Sequence, residues 1–239
     1  MLREDGRGTG HRIDEGNMLN TIASIYHELG DTDRAIVNYE AAMNANAQLN
    51  RPDFDAITLA NVASLRAERG EFDTAIEIGE RALALCRMHA VGFLPEVLAA
   101  LAGAYGGRGE FDQARTLLNA ALAMLDASSV SFDDAVRSSV ELAFGRVEIS
   151  AKNDAEALSH FCRALGLAEV INAKPIEFSA HCALADLYKA MGQFEEAVYH
   201  LEKKFAINQS IFNEGTDIRI KTLQVAHEAE ESRQQAEIL

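Results

Sequence analysis

Apolar positions along this chain recur at helical spacing and are interrupted at regular intervals by a short polar phrase. Leu19, Ile22, Ala23 and Tyr26 form one such stripe; Leu59, Val62 and Ala63 form a second, and Leu98, Leu101, Ala102 and Tyr105 a third. Leu184, Ala185 and Tyr188 repeat it near the end, and Phe144 with Gly145 holds the equivalent place between. After each stripe comes a glycine, usually an acidic residue, often an aromatic, and then alanine five positions beyond the glycine. The copies read Gly30-Asp31-Thr32-Asp33-Arg34-Ala35, Gly70-Glu71-Phe72-Asp73-Thr74-Ala75, Gly109-Glu110-Phe111-Asp112-Gln113-Ala114 and Gly192-Gln193-Phe194-Glu195-Glu196-Ala197. A degenerate copy, Lys152-Asn153-Asp154-Ala155-Glu156-Ala157, lies between the last two. Spacings of 40, 39, 43 and 40 residues leave room for two helices of about four turns per unit.

Each part of the phrase has a physical role. Glycine ends the first helix in the left-handed conformation that other residues adopt only at a cost, and the acidic residue opens the second helix at its positive end. The aromatic is expected to plug the turn within the unit. Ala35, Ala75, Ala114, Ala157 and Ala197, with Ala42, Ala82, Ala121 and Ala164 seven residues later, place methyl groups where helices cross closely. Helix starts are marked by Pro52, Pro95 and Pro175, since the first turn has no use for the missing amide proton. Ser131 followed by Asp134 supplies a capping signal instead for the fourth unit.

The two ends of the chain differ from the middle. Residues 1–16 are polar and dotted with Gly6, Gly8, Gly10 and Gly16, and are expected to be poorly ordered. Residues 213–239 are rich in Glu and Gln and read as one connector helix. In it Ile218, Thr222, Val225, Ala229, Ser232, Ala236 and Leu239 step by alternating fours and threes, a weakly hydrophobic heptad seam able to pair with its own copy as a coiled-coil homodimer.

Composition fits this reading. The 239 residues carry a formal charge of −15, with 48% hydrophobic but only 7% aromatic residues and no Trp, a balance that favours close-packed helices over sheets. A chain depleted in Lys and Arg is a poor match for a nucleic-acid backbone. The longest small-apolar run, Val97 to Tyr105, falls far short of the roughly 20 residues of a membrane span. Cys86, Cys162 and Cys182 lack any CxxC spacing, which suits a reducing cytoplasm. His160, Cys162, His181, Cys182 and His200 do not share helix faces at ligand spacing and read as packing or surface positions. No phosphate-cradling glycine loop follows a strand. The expectation is therefore a chain with no catalytic, cofactor or metal residues.

The small residue of the first helix, the aromatic three positions later, the turn glycine and the two alanines of the second helix resemble the tetratricopeptide repeat family over Asn17 to Phe212. The units are longer than the family's usual repeat, as in extended repeats of bacterial regulators and motor adaptors. The resemblance implies an all-α fold: a right-handed α-α superhelix of about five ~40-residue helix-turn-helix repeats spanning 17–212, with turns near 30, 70, 109, 152 and 192, plus a C-terminal helix. It also implies a concave face, lined by the first helices, that binds a protein or peptide. Its groove positions carry over to Asn20, Ser24 and His27; Asn61 and Ser64; Gly103, Gly106 and Gly107; Arg146; and Asp186 and Lys189. The Lys and Asn pair with which co-chaperone members grip a terminal carboxylate is missing, because the matching positions are Asn20/Ser24, Ala60/Ser64, Ala99/Gly103, Leu142/Arg146 and Cys182/Asp186. The C-terminal segment is similar to the connector that precedes output domains in bacterial signalling proteins, above all GGDEF diguanylate cyclases. These similarities together suggest a sensory domain regulating an output domain absent from the chain, with a stand-alone scaffold or a peptide-pheromone receptor as alternatives.

Overall fold

A computed structural model of the chain describes residues 7–28, 31–46, 51–89, 92–127 and 134–211, and every regular element among them is helical. In chain order these are α1 (Arg7–Glu28), α2 (Thr32–Asn46), α3 (Pro52–Glu68), α4 (Phe72–His89), α5 (Leu94–Arg108), α6 (Phe111–Ala127), α7 (Asp134–Ser150), α8 (Asp154–Ile171) and α9 (Lys174–Ala190). A further helix, α10, occupies 194–211. The first helix starts at Arg7, inside the stretch expected to be poorly ordered. No proline interrupts it, and once a helix is nucleated each added residue gains one backbone hydrogen bond. Ser131 and the heptad positions Ile218 to Leu239 lie outside the described residues.

The turns form as the phrase dictates. Gly70, Gly109 and Gly192 have φ of 77°, 89° and 76°. Lys152 takes the same role at φ 62° in the copy without glycine. At each turn the residue after this position donates its amide to a carbonyl five residues back: Asp31 to Tyr26, Glu71 to Arg66, Glu110 to Tyr105, Asn153 to Glu148 and Gln193 to Tyr188, all at 2.9 Å. These bonds satisfy carbonyls that the helix end leaves free. The same residue's own carbonyl then accepts from the phrase alanine, opening the next helix: Ala35, Ala75, Ala114, Ala157 and Ala197 donate to residues 31, 71, 110, 153 and 193. Pro52, Pro95 and Pro175 all sit in the first turn of their helices.

Packing follows sequence order. The helices pair as α1 with α2, α3 with α4, α5 with α6 and α7 with α8, and each second helix then meets the first helix of the next unit. First helices also touch one another, α3 to α5, α5 to α7 and α7 to α9, so the units stack as a right-handed solenoid with the first helices along one wall. The crossing alanines are all buried. Gly145 allows Phe161 to lie against α7, since a Cβ there would sit 2.4 Å from the ring. Phe72 reaches beyond its own unit and lies over Gly107 of the next, where a Cβ would come within 2.1 Å of the ring.

Candidate functional site

The expected groove residues fall in the C-terminal halves of α1, α3, α5, α7 and α9, the helices that stack along one wall. Asn20 and His27 on α1 both reach α3. The Thr58 hydroxyl lies 3.4 Å from the Asn20 side-chain oxygen, and His27 pairs with Glu68 at 3.1 Å. His27, with a further contribution from the positive charge of Arg146, holds the Glu68 carboxyl below its ordinary range. Ser24, Asn61 and Ser64 are half-buried. Gly103 on α5 has open space where a side chain would stand, as a groove position requires. Gly106 and Gly107 do not belong to the groove: a Cβ on Gly106 would meet Val147 at 2.8 Å, and Gly107 lies beneath Phe72. Both glycines serve the contact between units.

Arg146, Asp154 and Asp186 are the charged residues lining a cleft of about 480 Å³ among α7, α8 and α9. Its walls are mainly apolar, formed by Ile149, Phe161, Phe178, Ala183 and Leu187, with Cys182 among them. Lys189 is exposed and lies outside the lining. An apolar cleft lined also by one cation and two carboxylates can bury a hydrophobic side chain while holding the polar backbone beside it. The carried-over positions missed Phe178 and Cys182. Stepping back from Asp186 by four and then eight residues gives Cys182 and Phe178, one stripe of α9, so the signal was present in the helix periodicity.

His160, His181 and His200, and the cysteines Cys86 and Cys162, fall outside the cleft lining. His160 on α8 lies 2.6 Å from the buried Glu141 carboxylate and stacks on Phe144. His181 and His200 are both buried and face each other at 2.8 Å between α9 and α10. Among the described residues no three His, Cys, Asp or Glu side chains come together as a metal site. Burial raises the Cys86 thiol above its ordinary range, which disfavours the reactive thiolate. No described helix is long and apolar enough to cross a membrane.

Comparisons with known proteins bear on the fold. Tetratricopeptide-repeat models match residues 14–88 and 178–209. A Rap protein solved in complex with Competence and Sporulation Factor superposes with a TM-score of 0.68 at 16% identity, over 81% of this chain and 54% of that one. The chain thus spans about half the length of that Rap protein. BtubC from P. vanneervenii matches with a TM-score of 0.54 at 18% identity, over 86% of this chain and 90% of its own. No curated protein sequence matches the chain. The turns and the buried alanine crossings are those of a tetratricopeptide-like solenoid, and within it the two segments 14–88 and 178–209 match tetratricopeptide-repeat models.

Proposed function

We propose that this domain is a sensory module whose concave face takes a peptide or an extended protein segment. The observation that carries the reading is the cleft among α7, α8 and α9, mainly apolar and lined also by Arg146, Asp154 and Asp186. An apolar side chain of the ligand enters beside Phe178 and Cys182, while the charged lining residues hold its backbone or an end group. Asn61, Ser64 and the open face at Gly103 extend the track along the wall. The Rap protein, similar in fold, was solved with Competence and Sporulation Factor, which supports a ligand-binding role for such a stack.

The connector-like character of residues 213–239 further supports an output domain beyond this chain, and a diguanylate cyclase is the output we propose. Binding would act by shifting the population of arrangements that the connector presents to it.

Screening a library of short synthetic peptides against the wild type and Cys182→Trp tests the ligand reading. Peptides bound by the wild type should lose at least about tenfold in affinity when the indole fills the cleft, a difference of about 1.4 kcal/mol. Equal binding by both proteins refutes the site. The output reading is tested separately by the reading frame after Leu239: a frame without a cyclase, kinase or phosphodiesterase domain refutes it.

A further inference from the structure

The α9 residues that line the cleft, Phe178, Cys182, Asp186 and Ala190, step by four along one stripe, so the cleft follows α9 for about 18 Å. Of its three charged side chains, Arg146, Asp154 and Asp186, none forms an ion pair within 4.0 Å among the described residues. Arginines elsewhere in the stack do, across unit boundaries: Arg69 with Asp33, Arg108 with Asp73 and Arg115 with Glu148. Asp154 has a local reason for its place, since it opens α8, where the positive end of the helix favours a carboxylate. Asp186 has none. It lies in the C-terminal half of α9, where the dipole disfavours negative charge and Asp is a poor helix former. Counted back six residues from each turn, its equivalents are Ser24, Ser64, Gly103 and Arg146. This row along the wall is small and uncharged in the first three units and charged only where the cleft lies. A carboxylate held at a local cost, with no ion partner among the described residues, beside an apolar cleft is suited to a cation on the ligand.

We propose that the peptide segment bound in the cleft carries a large apolar side chain and a lysine or arginine two positions apart, the apolar one beside Phe178 and Cys182 and the cation on Asp186. The proposal rests on the ligand reading and assigns that ligand's chemistry. Spacing carries its first part. Cys182 and Asp186 are one helical turn apart, about 6 Å along the axis of α9. In an extended chain, side chains two positions apart are about 6.6 Å from each other and on the same face. A ligand lying along α9 therefore presents both side chains to the cleft at once, in either chain direction. Charge carries the second part. The lining holds two carboxylates against one guanidinium, and that guanidinium also acts on Glu68, whose carboxyl it helps to hold below its ordinary range. The whole chain carries −15, so a cationic segment is drawn toward it and an acidic one repelled. Arg146, the equivalent of Asp186 on the neighbouring α7, is left for a backbone carbonyl or an end carboxylate of the same ligand.

Synthetic peptides that bind the full chain and lose affinity for Cys182→Trp supply the probe. Each is made again, acetylated and amidated, with Lys, Gln or Glu two positions to either side of its apolar anchor, which alanine replacement identifies. Calorimetry then compares the wild type with Asp186→Asn and Asp186→Lys. The best Lys form should bind the wild type about tenfold more tightly than the matching Glu form, because an ion pair takes the place of a like-charge contact. Asp186→Asn should reduce that ratio to about threefold or less, and Asp186→Lys should invert it. Glu77→Gln removes an exposed carboxylate from α4, away from the first-helix wall, and should leave the ratio unchanged. That control separates a contact at Asp186 from the general pull of an acidic chain. Equal binding of the Lys, Gln and Glu forms overturns the proposal and leaves the cleft as a purely apolar site. A preference for Lys that survives in Asp186→Lys also overturns it, since the cation then sits elsewhere. Binding that Cys182→Trp leaves untouched refutes the ligand reading itself, and the proposal falls with it.

Discussion

At the scale of single residues, the glycines separate into positions that packing demands and positions that it leaves free. Gly145 is demanded: Phe161 is fully buried against it, and a Cβ would approach the ring to 2.4 Å. Gly145→Ala should destabilise the protein by about 1–3 kcal/mol through overpacking. Gly103, in the interior of α5, meets nothing within 4 Å. There alanine should stabilise by about 0.5–1 kcal/mol, because it restricts the unfolded chain and favours helix. Thermal melts of the two variants should therefore move in opposite directions, and a drop for both would refute the assignment of Gly103 to open space. The role of Gly145 was legible in the sequence, since the repeat places it where every other unit has a small residue. That of Gly107 was not, because it is set by Phe72 from the preceding unit and no spacing within one helix reveals it.

At the scale of helices, the last two units replace apolar contacts between paired helices with titratable ones. The pairs Glu141 with His160 and His181 with His200 stand in register with Leu98 and Leu117 of the third unit. Burial, with the charges of His200 and Lys203 nearby, pushes His181 down to about 4, and burial lowers His200 as well. The sign follows from proton counts. Below about pH 6.5 the unfolded chain binds protons that the folded pair refuses, so stability is complete above that pH and falls progressively toward pH 4. For His181 the loss amounts to about 3 kcal/mol. Melts of the wild type from neutral pH down to about pH 4.5 should show a steeper fall than those of the double variant His181→Leu/His200→Leu, which restores the third unit's chemistry. Identical slopes would refute the role of the pair. The α6–α7 junction makes a different demand. Arg115 holds the buried Glu148 with two hydrogen bonds of 2.7 and 2.8 Å, and Asn153 adds a third at 2.7 Å. The Arg115 bond is the main reason the Glu148 carboxyl stays below its ordinary range. Arg115→Ala should cost about 3 kcal/mol by stranding that carboxylate, and adding Glu148→Gln should recover part of the loss. No recovery in chemical denaturation would show that the lost contact, not the stranded charge, sets the effect. Helix boundaries and pairing were legible from glycine, proline and alanine. These cross-helix pairs were not, because single-helix periodicity does not say which residue of the partner stands opposite.

At the scale of the whole molecule, the main contacts among the described residues join helices of the same unit or of adjacent units, so stability is expected to be distributed along the stack and not shared uniformly. The apolar core reflects this, since its residues gather into clusters around successive units and not around a single centre. Leu184 on α9 is fully buried within the cluster formed by the last units. Leu184→Ala should cost about 2–5 kcal/mol there by opening a cavity. In a stack with nearest-neighbour coupling this loss stays local. Amide hydrogen exchange should accelerate in α8 and α9 while α3, α4 and α5 keep their protection. A molecule that opens only as a whole would instead lose protection by one common factor in every helix, and that result would rule out a stack of separable units. The distinction matters for the proposed function, because a wall whose far end can loosen without melting the near end would change the arrangement of its terminal helices while the rest of the proposed ligand track stays formed.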